Sequence, residues 1–384
     1  MTDAPSPNSY EILDRLIAFP TVSRDGNIDL IHWVQDLLVG AGIKTTLYPS
    51  ETCDRANLFA SIGPDKPGGV VLSGHTDVVP VDGQAWTSDP FKLREQDGLL
   101  FGRGTADMKG FVSCAMEGFL RAAGKPLESP IHLALSYDEE IGCVGVRPML
   151  EELAKTGLQP DWVLIGEPTS MGVATGHKGK LAARATCCGH AAHSALAPTG
   201  LNALHMATDF LSEIRKLQTE MAETGGRDQA YDIPYTTLHA GILKGGTALN
   251  IVPDHASLDF EIRNIASDSP KALLDRLFKT AKAQEDAVSK KFPDARITLD
   301  ILNEYPGLET TSNQPEVAKA QALAGDAKAL KVAFGTEGGL FQESFRVPVV
   351  VCGPGSMDQG HKPDEFITRA QMEHCRQMLA RLFA

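Results

Sequence analysis

The chain holds 384 residues, of which 42% are hydrophobic and 22% charged, a composition typical of a globular protein with room for two domains and a large core. Its formal net charge of -13 at pH 7 argues against a general binder of nucleic acids or anionic membranes, whose surfaces would repel it. The seven cysteines are scattered without zinc-finger spacing or a disulfide framework, which is typical of a protein in the reducing cytoplasm.

We expect neither export nor membrane insertion. Residues 1–10 are polar and lack the basic and apolar regions of a signal peptide, and no apolar run approaches the length of a membrane span. The sequence also contains no internal repeat and no low-complexity segment.

Helix and strand patterns alternate through the first half of the chain. Residues 28–40 have the pattern of an amphipathic helix, because their apolar side chains recur at the spacing of one helix face and Gly40 is a stop signal. Further helices are predicted at residues 10–19, 110–123 and 146–153, and strands at residues 44–48, 57–62, 69–73, 131–136 and 161–165. This alternation predicts an α/β domain of three layers around a mixed, mostly parallel sheet.

The pattern changes at Gly179. The next segment contains predicted strands at residues 181–188, 236–243, 256–263 and 297–302, and predicted helices at residues 201–217 and 270–288, the second capped by Asp268. This β-α-β-β-α-β order is the ferredoxin-like arrangement, so we interpret residues 180–306 as an inserted α+β domain. From Gly307 the first pattern resumes, with a helix at residues 317–330, a strand at 347–352 and a helix at 368–383. Residues 1–179 and 307–384 therefore form the other domain.

An apolar strand that begins at Val70 runs directly into His75 and Asp77. A buried strand that ends in such groups usually opens onto a site. Because residues two apart in an extended segment face the same side, Asp77 can accept a hydrogen bond from one imidazole nitrogen of His75 and leave the other nitrogen for a metal. The stretch alone also fits a structural histidine satisfied by a neighbouring carboxylate.

Four further polar groups follow apolar strands or open helices beside them, and these are Asp107, Glu140, Glu167 and His361. In an open α/β sheet the carboxyl ends of the strands converge on one crevice, so this shared position predicts that the groups meet. Each of these groups, taken alone, also fits an interpretation other than a metal ligand. The glycine-rich turn around Asp107 resembles a phosphate loop but lacks the Walker ending, the acidic triplet at 138–140 fits a solvated loop, and His361 fits a surface or packing histidine.

The set favours a pair of divalent metal ions. If one carboxylate bridges two ions, three carboxylates balance three of the four positive charges, and a bridging hydroxide balances the fourth. In that arrangement Asp107 is the bridge, with His75 and Glu167 on one ion and Glu140 and His361 on the other. Two histidines with carboxylates and no thiolate suit zinc or cobalt, and such a pair lowers the pKa of its shared water towards neutrality.

Glu139 is adjacent to one of these ligands but lies on the opposite side of an extended backbone, so it remains as the general base. In that role it takes a proton from the water and later gives it to the leaving amine. A non-catalytic metal or amino-acid binding protein on the same scaffold needs no base, so Glu139 favours an enzyme over that alternative. Cys143, close to the triplet, is expected only to pack.

Five runs of sequence together resemble the M20 family of di-metal amidohydrolases and peptidases, which includes acetylornithine deacetylases, succinyl-diaminopimelate desuccinylases and glutamate-releasing carboxypeptidases. The runs are Ser-Gly-His-Thr-Asp at 73–77, Gly-Arg-Gly-Thr-Ala-Asp-Met-Lys-Gly at 102–110, Asp-Glu-Glu at 138–140, Gly-Glu-Pro-Thr at 166–169 and Gly-His-Lys-Pro at 360–363, in the family order. The resemblance covers most of the chain. It implies the ligand pairing given above and a cis peptide bond between Asp107 and Met108.

The resemblance also gives the inserted domain a role, since in this family that domain carries the dimer interface and closes over the substrate as a lid. Residues 189–194, Gly-His-Ala-Ala-His-Ser, are similar to the family's lid motif. This similarity implies that His193 stabilises the oxyanion in the partner subunit's site, whereas a histidine that caps the following segment is the alternative. Asn250 and Arg263 are implied to hold the substrate, and the planar fork of Arg263 suits a carboxylate.

Residues 334–342, Phe-Gly-Thr-Glu-Gly-Gly-Leu-Phe-Gln, resemble the acetylornithine deacetylase branch of the family, and Glu337 within them suits a cationic side chain such as that of ornithine. The desuccinylase branch has a Ser-Asp-Gly-Arg run there instead. We therefore expect a cytoplasmic, homodimeric zinc or cobalt hydrolase that cleaves N2-acetyl-L-ornithine to L-ornithine and acetate in arginine biosynthesis. The alternatives among enzymes are a succinyl-diaminopimelate desuccinylase and a metallo-dipeptidase or carboxypeptidase.

Overall fold

The computed structural model describes residues 6–384, so residues 1–5 of the polar N-terminal segment lie outside the described residues. Within that range the α-helices, in chain order, are α1 Ser9–Ile17, α2 Ile28–Gly40, α3 Gly110–Ala122, α4 Val146–Lys155, α5 Ala203–Thr224, α6 Pro270–Val288, α7 Pro315–Leu323, α8 Gly338–Phe345 and α9 Arg369–Leu382. Among the helices of the described range, no segment combines the length and the apolar character that a membrane span requires.

The strands of the described range, also in chain order, are β1 Lys44–Pro49, β2 Ala56–Ile62, β3 Val70–His75, β4 Arg94–Gln96, β5 Leu99–Phe101, β6 Ile131–Ser136, β7 Trp162–Pro168, β8 Val173–His177, β9 Gly179–Cys188, β10 Ala192–His193, β11 Thr237–Gly245, β12 Ile251–Val252, β13 His255–Asn264, β14 Arg296–Tyr305, β15 Leu308–Glu309, β16 Ala329–Val332, β17 Val349–Gly353 and β18 Phe366–Thr368.

The chain divides into two compact units. The first comprises the described residues up to Gly176 together with Leu308–Val332 and Thr336–Ala384, and the second comprises His177–Gly307 and Ala333–Gly335. The units divide close to the limits predicted at Gly179 and Gly307.

The first unit is built on a sheet with the strand order β1-β2-β6-β3-β7-β17-β8-β15, and β16 pairs with β8. The neighbours β6, β3, β7 and β17 are parallel, whereas β1, β2 and β8 are antiparallel to their partners. The parallel strands β3, β6 and β7 are buried along their whole length, which is why their sequences read as continuous apolar runs. Helices α1, α2, α3 and α9 share one hydrophobic core with this sheet. The predicted α/β class with a mixed, mostly parallel sheet is confirmed.

The second unit has an antiparallel sheet in the order β11-β13-β9-β14, with α5 and α6 packed on one hydrophobic core with it. Burial alternates along β9 and β13, because one face of this sheet is covered by the helices and the other is not. The β-α-β-β-α-β order and the ferredoxin-like α+β arrangement predicted from the sequence are present.

Three local predictions are wrong. The helix predicted at residues 201–217 continues to Thr224 as α5. The helix predicted at residues 317–330 ends at Leu323, because Gly325 adopts a left-handed φ of 78° and the chain then enters β16. The cap of α6 is Ser269 and not Asp268, since the Ser269 side chain accepts a hydrogen bond from the backbone N–H of Ala272 at 3.2 Å. Asp268 is engaged elsewhere, where it accepts a hydrogen bond from Thr236.

Candidate metal centre

Five polar side chains meet where the parallel strands of the first unit end. His75 is the last residue of β3, Glu167 lies near the end of β7, Glu140 follows β6 and His361 follows β17. Because these strands are parallel neighbours, their carboxyl ends bring the side chains to one edge of the sheet. Asp107 reaches the same place from the turn that precedes α3.

Asp107 lies between the two histidines. His75 Nε2 is 3.1 Å from Asp107 Oδ1, and His361 Nε2 is 3.1 Å from Asp107 Oδ2. Glu167 Oε1 is 3.8 Å from His75 Nε2, and Glu140 Oε2 is 3.0 Å from His361 Nε2. Each oxygen of Asp107 therefore faces one histidine, and each histidine has its own glutamate. This is the grouping expected around a carboxylate that bridges two ions, although the role of each ligand stays a prediction.

The electrostatics of this cluster favour a bound cation. The side chains of His75, Asp107 and Glu167 are only 1%, 6% and 5% exposed. Burial raises the pKa of Glu140 to about 7, and it raises the pKa of Glu167 well above its usual range despite the opposing effect of His75. Ionised carboxylates this close together repel one another, and a divalent ion among them removes that repulsion. Oxygen and imidazole donors fit a divalent transition metal, so the residues present suit the predicted ions.

Glu139 borders the cluster on the side of His75 and Glu167. One ligand atom each from His75, Glu139 and Glu167 lie within 4.8 Å of one another, and the same holds for His75, Asp107 and Glu140. Burial raises the pKa of Glu139 to about 8. The Glu139 carboxylate is thus placed beside the predicted ions, as a general base requires, and its role also stays a prediction.

Asp77 holds the acidic triplet. His75 Nδ1 donates to the backbone oxygen of Asp77 at 2.9 Å, while the Asp77 carboxylate lies 3.5 Å from that nitrogen, so the ring's hydrogen bond goes to the backbone and not to the predicted carboxylate. The carboxylate instead accepts from the backbone N–H groups of Glu139 and Glu140, at 3.1 and 3.3 Å, and from Ser23 Oγ at 2.7 Å. With Nδ1 as a donor, His75 keeps the lone pair of Nε2 directed at the cluster.

The turn that carries Asp107 is held by Glu365, a residue that the sequence reasoning missed. Its Oε1 accepts from the backbone N–H groups of Ala106 and Asp107 at 2.8 and 3.1 Å. Its Oε2 accepts from the backbone N–H of Gly104 at 3.0 Å and from Arg103 Nη1 at 2.7 Å. The Arg103 and Glu365 side chains are each 1% exposed. No local sequence signal identifies Glu365, because its partners lie 258 to 262 residues earlier in the chain.

The same turn has two further features. The peptide bond between Asp107 and Met108 is cis, as the family resemblance implies. Lys109 is buried, and its Nζ donates to the backbone oxygens of Leu16 and Phe19 at 3.0 and 2.9 Å. Burial lowers the pKa of Lys109 to about 7. These bonds tie the turn to the end of α1.

Glu337 is enclosed at the start of α8. It is 1% exposed, its Oε2 accepts from Ser73 Oγ at 3.2 Å, and burial raises its pKa to about 7. The side chain therefore meets the sheet and not the solvent. Its predicted contact with a cationic substrate group stays a prediction.

Two of the remaining predicted residues are exposed in the second unit, His193 at the end of β10 and Asn250 in a turn. His193 precedes a short 3-10 turn, and its Nδ1 accepts from the backbone N–H of Ala195 at 3.1 Å, which is the capping contact of the alternative interpretation. Asn250 is exposed before β12, and its backbone oxygen accepts from the N–H of Ser194 at 2.9 Å.

Arg263 lies on β13 of the second unit with its side chain 28% exposed. Its Nε is 3.2 Å from Glu261 Oε1, and its Nη1 donates to the hydroxyl of Tyr305 at 2.8 Å. A substrate carboxylate would have to share this guanidinium with Glu261, so substrate binding by Arg263 stays a prediction.

Proteins similar to this chain in sequence or in fold include a deacetylase and two M20 family peptidases. The acetylornithine deacetylase of Proteus mirabilis strain HI4320 is 33% identical to this chain over 384 residues, which cover 98% of this chain and 96% of the relative. The solved M20 family metallo-carboxypeptidase of Sulfolobus solfataricus shares the fold with a TM-score of 0.78 at 18% identity, over 98% of both chains. A Bacillus subtilis protein described as a dinuclear metal binding peptidase from the M20 family has a TM-score of 0.69 at 14% identity, over 98% of this chain and 96% of that one.

The family assignment covers the candidate metal centre. The sequence pattern of peptidase family M20/M25/M40 matches residues 71–384, a range that contains the two histidines and three carboxylates described above. The match spans well over half of the chain, and the deacetylase relative spans nearly all of it. The chain therefore belongs to peptidase family M20/M25/M40.

Proposed function

We propose that this protein is a metal-dependent amidohydrolase that cleaves N2-acetyl-L-ornithine to L-ornithine and acetate, a reaction of arginine biosynthesis. The observation that carries the proposal is the position of Asp107 between two histidine and glutamate pairs, with Glu139 at their border. The 33% identity to an acetylornithine deacetylase over 98% of the chain supports the choice of substrate.

We propose that the site would hold two zinc ions, with Asp107 as a ligand of both. His75 and Glu167 would complete one site, and Glu140 and His361 the other. The donor set of imidazole and carboxylate suits zinc, and cobalt accepts the same donors. When bound, such a pair polarises the substrate carbonyl and lowers the pKa of the attacking water towards neutrality.

Glu139 carries out the proton transfers in this proposal. Its carboxylate would take a proton from the attacking water and later donate that proton to the nitrogen of the leaving amine, which returns Glu139 to its ionised form. Bound cations would favour that ionised form, because they oppose the effect of burial on the pKa of Glu139. Asp77 fixes the backbone of Glu139 by accepting its N–H at 3.1 Å. His193 would stabilise the oxyanion after releasing the Ala195 N–H, while Asn250 and Arg263 would hold the substrate.

The role of Glu139 is tested by replacing it with glutamine. Glu139→Gln keeps the size of the side chain but removes the base, so kcat should fall by roughly 10²- to 10⁴-fold while the metal content stays unchanged. Glu151→Gln, an exposed position on α4, is the matched control and should behave as the wild type. Wild-type turnover in Glu139→Gln would refute the base, and loss of one metal equivalent would make Glu139 a ligand instead.

Substrate choice is tested by a panel of acetylornithine, succinyl-diaminopimelate, acetylmethionine and a dipeptide. The second candidate function is peptide hydrolysis, which the likeness of fold to the Sulfolobus carboxypeptidase favours. We expect kcat/KM to be highest for acetylornithine. Comparable values on all four substrates, or the highest value on the dipeptide, would contradict the ornithine assignment and leave the metal chemistry untouched.

We also propose a cytoplasmic homodimer joined through the second unit. All seven cysteines are free thiols, which suits a reducing compartment. The strand β11 lies at the edge of the sheet in that unit. Large apolar side chains of the unit are also exposed, and they include Leu196, Ile242, Leu243, Leu249 and Ile251. Light scattering should give twice the chain mass of 41.2 kDa, and a single-chain mass at micromolar concentration would contradict the dimer.

A further inference from the structure

Cys143 contacts the side chain of the proposed base directly. Its Sγ donates to Glu139 Oε1 at 3.1 Å, and Cys143 itself is 1% exposed. The sequence alone suggested that this cysteine only packs. The hydrogen bond gives it a specific partner in the site.

The turn between the two residues is shaped to make this contact. The backbone N–H groups of Gly142 and Cys143 both donate to the backbone oxygen of Glu139 at 2.8 Å, which folds the chain back on itself. Cys143 adopts a left-handed φ of 55°, a conformation that a non-glycine residue rarely takes without a reason. The turn therefore brings the thiol of residue 143 back to the carboxylate of residue 139.

Glu139 is consequently held at several points. Asp77 accepts its backbone N–H, the turn occupies its backbone oxygen, and the thiol occupies Oε1. Among the described residues, Oε2 accepts no hydrogen bond, so this oxygen is the one available to a water or an amine. Burial raises the pKa of the Cys143 thiol well above its usual range, which keeps the S–H intact as a donor and makes this cysteine a poor nucleophile.

We propose that Cys143 is a positioning residue, whose thiol fixes the orientation of the Glu139 carboxylate so that Oε2 faces the attacking water. The inference rests on the proposed role of Glu139 as the general base. A carboxylate that is free to rotate spends less time in the orientation that can accept the proton, so loss of the donor lowers kcat. Because Cys143 has no contact with substrate in this proposal, KM should change little.

The test compares three variants of the full-length, metal-loaded protein. Cys143→Ala removes the donor and should lower kcat roughly tenfold, with KM and metal content unchanged, since a single hydrogen bond of ordinary strength corresponds to about that factor. Cys143→Ser keeps a donor and should recover kcat to within about threefold of the wild type. Cys143→Gly also lacks the donor but tolerates the left-handed φ, so it reports the same loss if the alanine variant fails to fold.

Cys114→Ala is the matched control, because Cys114 is another buried cysteine of the first unit and its Sγ faces the backbone oxygen of Met372 at 3.8 Å. It should keep wild-type kcat. Wild-type kcat in both Cys143→Ala and Cys143→Gly, or an equal loss in the serine and alanine variants, would overturn the positioning role. Loss of turnover in Glu139→Gln alongside wild-type Cys143→Ala defeats only this inference, whereas turnover in Glu139→Gln defeats the proposed function itself.

Discussion

His132 is a buried histidine with an incomplete set of hydrogen bonds. It lies near the start of β6 and is 6% exposed. Its Nδ1 bonds to Ser61 Oγ at 2.7 Å, its ring stacks on Phe59, and its Nε2 has no hydrogen-bond partner among the described residues. Burial lowers the pKa of His132 to about 4, so the folded protein keeps this ring neutral at pH values where the unfolded chain protonates it.

This difference predicts a pH dependence of stability. Between about pH 6.5 and pH 4 the unfolded state binds one more proton at His132 than the folded state, so the free energy of unfolding falls as the pH falls through that range. The stability that depends on the neutral His132 ring is fully present above pH 6.5, and the free energy of unfolding is about 3 kcal/mol lower at pH 4. In His132→Gln this part of the dependence should disappear, as urea denaturation at several pH values can show. His32→Gln, on the exposed face of α2, should keep the wild-type slope; an unchanged slope in His132→Gln would contradict the interpretation.

At the residue scale, the sequence could place the candidate metal ligands but not the hydrogen bonds that hold them in position. Each of the five cluster residues ends or follows an apolar strand, or precedes a helix, so its position at the edge of the sheet could be inferred. Three of the contacts that hold the residues of the site depend on side-chain geometry. They are the hydrogen bond of His75 to the backbone of Asp77, the hydrogen bond of the Cys143 thiol to Glu139, and the hydrogen bonds that Glu365 accepts from the turn. The first two join residues two and four positions apart, and the third joins residues 258 to 262 positions apart, but the periodicity of the sequence indicates none of them.

At the scale of elements, the turn before α3 is the feature that most depends on a distant residue. Glu365 accepts four hydrogen bonds from this turn, and one of them comes from the backbone N–H of Asp107 itself. An amide in place of this buried carboxylate would direct its own NH2 donor at one of the four donors that surround Glu365. We therefore expect the conformation of this turn to depend on an ionised Glu365.

Glu365→Gln should destabilise the protein and weaken metal binding together. Breaking a buried ion pair such as the one with Arg103 costs about 3 to 5 kcal/mol, and the displaced turn carries Asp107 away from the histidines. Urea denaturation and measurement of bound metal give the two readouts. Glu95→Gln is the control, because the Glu95 pair with Arg369 is exposed and should matter little. Wild-type stability in Glu365→Gln would show that the turn is held by other contacts.

The elements that could be predicted are those with strong periodicity. β3, β6 and β7 are buried on both faces and read as apolar runs, and α2 has a clean apolar face, with observed limits at the predicted residues 28–40. β8 and α8 were missed, because β8, Val-Ala-Thr-Gly-His, contains no continuous apolar run, and α8 begins with two glycines, which lower its helix propensity. The short strands β4, β5 and β18 have too few residues for a period to appear.

At the scale of the whole molecule, the parallel order of β6, β3, β7 and β17 makes the cluster possible. The strand β17, at Val349–Gly353, lies far along the chain from β3, β6 and β7, and only its place in the same sheet brings His361 beside Asp107 and Glu140. The sequence could suggest this convergence because the carboxyl ends of parallel strands share one edge. The strand order that brings β17 next to β7 had to come from the structure.

The central claim is that Asp107 bridges two divalent ions while Glu139 stays uncoordinated. Anomalous diffraction at the zinc absorption edge, from crystals of the zinc-loaded protein, tests it most directly. The account predicts two peaks about 3.5 to 4 Å apart, one beside His75 and Glu167 and the other beside Glu140 and His361, with Asp107 between them. A single peak coordinated by His75, Glu139 and Glu167, or no peak in the cluster, would contradict it.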